Sequence, residues 1–138
     1  MALSDLWFRW TYKTTGSDYE AAAPVQLRNL PGWLALVEVV VAPNVAGSVF
    51  VLLYDQLAAP VAGNRADHSY GPVTPGATGG NLVREYQEIS GFPTQAGSFN
   101  GIPFDNAIWI ALSSTPRIYT AVAANSYSVF ARGTLPVT

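Results

Sequence analysis

His68 is the only histidine of the chain, and it stands between Asp67 and Ser69. A Ser-His-Asp triad needs its members to converge from separate parts of a fold, beside an oxyanion hole. Three consecutive loop residues do not converge in that way, and no Gly-x-Ser-x-Gly elbow offers a distant serine. One histidine and no cysteine leave a metal ion only carboxylates, and no Asp-x-Asp-x-Asp-Gly loop is present. A solvated loop residue is the simpler reading of His68. Glu85 and Glu88 lie three apart on a predicted strand, so they project to opposite faces and cannot flank one glycosidic bond. Glu38 sits on an otherwise apolar strand face, where a carboxylate needs a cation or a raised pKa. Arg84, Arg117 and Arg132 are the expected partners. Asp55, closing Leu52-Leu53-Tyr54-Asp55, suits a turn cap through its own backbone. The glycines from Gly76 to Gly80 lack the lysine and following helix of a phosphate loop. The chemistry therefore points to no catalytic set, no metal and no cofactor, and the expectation is a protein that is not an enzyme.

Aromatic residues make up 12% of the chain, with four Trp and seven Tyr. Rings exposed on a β-sandwich can stack on sugars or anchor a partner. Trp10, Trp33 and Trp109 fall in apolar strand patterns and are expected in the core. Trp7, Tyr19 and Tyr70 remain for a partner or glycan surface.

The elements that must position these residues are strands. Trp33 to Asp55 holds two apolar runs rich in β-branched residues around Pro43-Asn44-Val45-Ala46-Gly47, which predicts an antiparallel hairpin. In the first run Trp33, Ala35, Val37, Val39 and Val41 share a face opposite Leu34, Leu36, Glu38 and Val40. In the second, Val49, Val51 and Leu53 oppose Phe50, Leu52 and Tyr54. Neither run alternates apolar with polar, so both faces require cover: the core on one side, a second layer, loop or subunit on the other.

Leu6 to Thr14 alternates strictly, with Phe8, Trp10 and Tyr12 against Arg9, Thr11 and Lys13, as in a half-buried strand near a sheet edge. Residues 19–23 allow one helical turn, stopped by Pro24. Residues 24–30, 81–90, 107–113, 117–122 and 126–133 read as further strands, with a tight bend at Asn100-Gly101 within 98–105. In the last strand Tyr127, Val129 and Ala131 are expected inward. Residues 56–81, rich in Gly, Pro and Ala, read as one long loop, and loops of that length are usually functional. About eight short strands without a convincing helix predict an all-β fold, a single antiparallel β-sandwich spanning residues 1–138. Within it, residues 1–30 form an N-terminal strand and arm.

Charged residues are only 12% of the 138, and the net charge is −2. An ordinary soluble domain carries about 25%. Mean hydropathy is +0.20, yet no apolar run approaches a membrane span. A chain this apolar is expected to bury its surface by self-association or by docking onto a larger body. Basic residues are scattered singly, with one lysine, so no nucleic-acid footprint is visible. The start, Met1-Ala2-Leu3-Ser4-Asp5, lacks the charged and apolar regions of a secretory signal.

Three segments carry a family resemblance: Val49 to Asp55 (VFVLLYD), Ser98 to Asn106 (SFNGIPFDN) and Ile108 to Ser113 (IWIALS). A Leu-Tyr-Asp strand end, a variable loop, a Phe-x-Gly-Ile bend and a strand with a small or polar end resemble the small β-sandwich structural proteins of tailed bacteriophages. The resemblance covers Trp33 to Ser114 and departs at Ala107, where glycine is usual. It implies a jelly-roll-like virion protein, used as a capsid decoration (cement) protein or as a head or tail fibre. Such a protein, assembled in the host cytoplasm and located on the virion, would be a homo-oligomer, a trimer or pentamer. It would bind a major capsid or other virion protein, stabilising the shell by burying surface between subunits. The alternative is a receptor- or carbohydrate-binding module at a fibre tip. The expected contacts lie in residues 2–10 and 56–81, with Trp7, Arg9, Tyr19, Tyr70, Pro72 and Pro75 as partner-binding candidates.

Overall fold

The structure, a computed structural model, describes residues 9–13, 24–43, 45, 47–76, 79–85, 102–122 and 126–134. These form nine strands: β1 (Arg9–Lys13), β2 (Val25–Arg28), β3 (Gly32–Val41), β4 (Val49–Tyr54), β5 (His68–Val73), β6 (Gly80–Glu85), β7 (Ile102–Phe104), β8 (Ile108–Ser113) and β9 (Tyr127–Thr134). One sheet runs β1-β9-β3-β6, with β7 also paired to β3; the other runs β2-β8-β4-β5. All pairings are antiparallel. With the short β7 set aside, the pairs are nested: β1 with β9, β2 with β8, β3 with β6, β4 with β5. The chain is one long antiparallel ribbon rolled onto itself, which is the jelly-roll arrangement.

The core lies between the sheets. Val37, Val39 and Val41 of β3 face Val49, Val51 and Leu53 of β4, joined by Ile108, Ile110 and Leu112 of β8 and Tyr127, Val129 and Ala131 of β9. The period-two reading of β4, β8 and β9 therefore holds residue by residue. In β3 it breaks at the start. A bulge against β9 between Leu34 and Leu36 brings Leu34 into the core and leaves Trp33 half-buried. A bulge adds one residue and reverses the parity beyond it, which alternation alone does not reveal.

Four expectations are corrected. The predicted hairpin between β3 and β4 does not exist, because the two strands belong to opposite sheets. Each has two apolar faces, and they meet face to face across the core, while β9, β6 and β7 flank β3 and β8 and β5 flank β4. The long loop at 56–81 contains β5, whose Gly71-Pro72 step hides it; proline is tolerated there because β5 is an edge strand. Residues 117–122 are not a strand but a loop held by isolated bridges at Ile118 and Ala121. Asp55 caps no local turn: its carboxylate accepts from the backbone N of Asp105 (2.9 Å) and Asn106 (2.8 Å), fastening β4 to the β7–β8 turn. Residues 19–23, 86–90 and the Asn100-Gly101 bend lie outside the described residues.

Candidate binding surface over the four-stranded sheet

The outer face of the four-stranded sheet shows where the second apolar face of β4 is covered. Leu52, Tyr54 and Ala111 pack with Tyr119 in a second cluster, flanked by Phe50, Ala66 and Trp109. The cover is the chain's own loops, residues 55–67 and 114–122. The two loops are zipped together by backbone bonds: Gly63 N to Tyr119 O (3.0 Å), Tyr119 N to Asn64 O (3.0 Å) and Ala66 N to Arg117 O (2.7 Å). They are fastened to the sheet by the Tyr54 hydroxyl, which donates to Asn64 O (2.9 Å), and by the Trp109 indole, which donates to Leu57 O (3.3 Å). Burial, with smaller effects from Tyr119 and Asp67, pushes the Tyr54 hydroxyl up to about 12. Ser113 is fully buried under the second loop and accepts from the N–H of Thr115 (3.2 Å) and Thr120 (2.9 Å).

This firmly held layer turns apolar side chains outward. Leu57 is 67% exposed, Val61 61% and Ile118 39%. Ile118 is bridged to Arg65, which opens onto a cleft of about 450 Å³ lined by Arg65, Ala66, Asp67, His68, Ser69, Tyr70 and Arg117. Arg117 has a φ of 68°, the one positive value at a non-glycine among the described residues. The N–H of Ile118 donates to Pro116 O at 2.7 Å across it, so Arg117 is the central residue of a γ-turn of the rare, strained kind.

The Asp67-His68-Ser69 trio diverges. Asp67 Oδ2 accepts from Asp55 N (2.7 Å), the His68 ring meets Phe104 edge-on at 5.8 Å, and Ser69 Oγ accepts from Arg117 N (3.2 Å). This geometry forms no charge-relay chain. Glu38 is half-buried on the outer face of the five-stranded sheet, opposite Val83 and Phe130. Of its three expected partners only Arg132 lies diagonally across on the neighbouring strand. Arg84 instead covers the Tyr70 ring at 4.7 Å, bridging β6 and β5 at the open side of the sandwich.

Of the predicted partner-binding residues, Trp7 and Tyr19 lie outside the described residues. Arg9 begins the edge strand β1, opposite Thr134. Tyr70 is half-buried and lines the cleft, Pro72 is exposed on edge strand β5, and Pro75 is half-buried just beyond it. Trp10, from the expected N-terminal contact segment, is buried and donates its indole N–H to Trp33 O (3.2 Å). The structure instead brings together Arg65, Ser69 and Arg117 in the cleft, with Ile118 bridged to Arg65, and leaves Leu57 and Val61 exposed on the first loop. Apolar residues inside a Gly/Pro/Ala-rich loop were the available signal for Leu57 and Val61. Nothing in the sequence joins Arg65 to Arg117, which meet only because the two loops zip.

No family model matches the chain. No curated protein and no solved structure matches it either.

Proposed function

We propose that this is a non-enzymatic virion structural protein of the capsid decoration (cement) type, which binds the shell of a tailed bacteriophage and strengthens it by burying surface between capsid subunits. The observation that carries the reading is the loop layer: Leu57, Val61 and Ile118 are held outward by a rigid hydrogen-bonded scaffold. Apolar side chains displayed on an ordered surface bind without a large ordering cost. The jelly roll, an architecture of viral capsid and lectin domains, and the low charge of the chain support the same reading. Stabilisation of the shell then follows by mass action, with a trimer or pentamer and a major capsid protein as the expected partners. The test is to purify particles from the phage whose genome encodes the chain and assay them for it after gradient sedimentation. The wild-type chain should sediment with the particles, and a folded Leu57→Asp/Val61→Asp variant should remain at the top. Particles devoid of the wild-type chain would sink the proposal. A receptor- or carbohydrate-binding module is the second reading, and the Arg65–Arg117 cleft is the observation in its favour.

A further inference from the structure

We infer that the cleft between β5 and the 114–122 loop is a binding site for a carboxylate-bearing sugar residue; this deepens the carbohydrate-binding reading and rests on it.

Arg65 and Arg117 are 52 positions apart in the sequence, yet both line this cleft. Both are exposed, so their guanidinium groups are available to a ligand without breaking an interior contact. A planar fork of donors matches a carboxylate in the two-bond manner that lysine cannot reproduce. The backbone supports the same conclusion. Arg117 is held at positive φ by three bonds: Ala66 N to its carbonyl, its own N to Ser69 Oγ, and the bond closing the γ-turn. A glycine would occupy that conformation without strain, and an arginine there sacrifices stability. Strain of this kind is retained where the side chain has a task.

The rest of the lining argues for a sugar over a bare anion. Ser69 Oγ accepts from Arg117 N, which leaves its hydroxyl proton for a ligand oxygen. Asp67 spends one carboxylate oxygen on Asp55 N, and its other oxygen can accept from a ligand hydroxyl. A bare anion offers Asp67 no donor, whereas a ring carrying one carboxylate and several hydroxyls gives the arginines an acceptor and Asp67 a donor. A volume of about 450 Å³ has room for one or two pyranose rings and falls in the range of small-ligand clefts.

The test is a titration of the full chain with glucuronic acid, N-acetylneuraminic acid, glucose, acetate and inorganic phosphate, followed by amide NMR shifts. At least one of the two acidic sugars should bind saturably, with shifts centred on residues 65–70 and 117. Glucose, acetate and phosphate should bind at least tenfold more weakly. Arg117→Gly removes the guanidinium while suiting the backbone, so it should fold at least as stably and lose tenfold or more in acidic-sugar affinity; Arg65→Gln should show a similar loss. Acetate or phosphate binding equal to the sugars would overturn the ligand class. Glucose binding untouched by either variant would overturn the inference while sparing carbohydrate binding. No saturable binding by any sugar would overturn both.

Discussion

Replacing Ser113 by alanine tests whether the loop layer is held as described. The Ser113 side chain is fully buried, and its Oγ is the acceptor for two backbone N–H groups, those of Thr115 and Thr120. It also donates to Thr115 O at 2.8 Å. Alanine removes all of this while changing the volume little, so the effect is one of polar satisfaction and not of packing. A buried donor left without an acceptor costs about 1–3 kcal/mol. Thr115 and Thr120 are themselves exposed, so water can reach part of the loop, and the sum falls near the low end, about 2–3 kcal/mol. Unfolding entropy of about 2.1 cal/mol/K per residue gives the chain roughly 0.29 kcal/mol/K, so Tm should drop by about 7–10 °C. Thermal melting followed by far-UV circular dichroism reads this directly, and hydrogen exchange should show the Thr115 and Thr120 amides losing protection before those of β3. Because Arg117 and Ile118 ride on the same loop, the variant should also weaken particle binding below its melting temperature. A Tm within about 2 °C of wild type would refute the reasoning.

Two further predictions follow from other parts of the sandwich. A Cβ at Gly133 would run into the Trp33 carbonyl oxygen and the Trp10 indole, so Gly133→Ala should cost about 3 kcal/mol or more and lower Tm by about 10 °C; an unchanged melt would show that β1 does not pack there. Tyr54 has its hydroxyl pushed above its unfolded value of 10 by burial, to about 12. Its contribution to stability is thus complete below pH 10 and lost as pH rises through 12. Stability should therefore fall across that window, part of the tyrosinate absorbance should appear together with unfolding, and Tyr54→Phe should reduce the pH dependence of stability there. Ionisation of every tyrosine near pH 10 with the fold intact would contradict this assignment.

Much of the architecture was written in local pattern. The alternation of Val49-Val51-Leu53 against Phe50-Leu52-Tyr54, and of Ile108-Ile110-Leu112 against Trp109-Ala111, states which side chains enter the core, because a strand has a period of two whatever its partners. The absence of polar alternation in β4 correctly required a second cover, and the strict alternation around Trp10 marked an edge strand. What the pattern does not contain is partnership. An apolar strand pairs with any neighbour of suitable register, so β3 and β4, adjacent in sequence, could equally share a sheet or face each other across the core. Only the nested closing of the whole ribbon, with β9 between β1 and β3, decides that they face. The same holds for the site. Arg65 and Arg117 are unremarkable singly, and their convergence depends on two loops that zip over the four-stranded sheet to cover Leu52 and Tyr54. Local pattern thus determined that this chain would be an all-β sandwich, because strand period and turn residues are properties of short segments. Tertiary structure decided which surface stays open, because that depends on which loops are used up covering the rest.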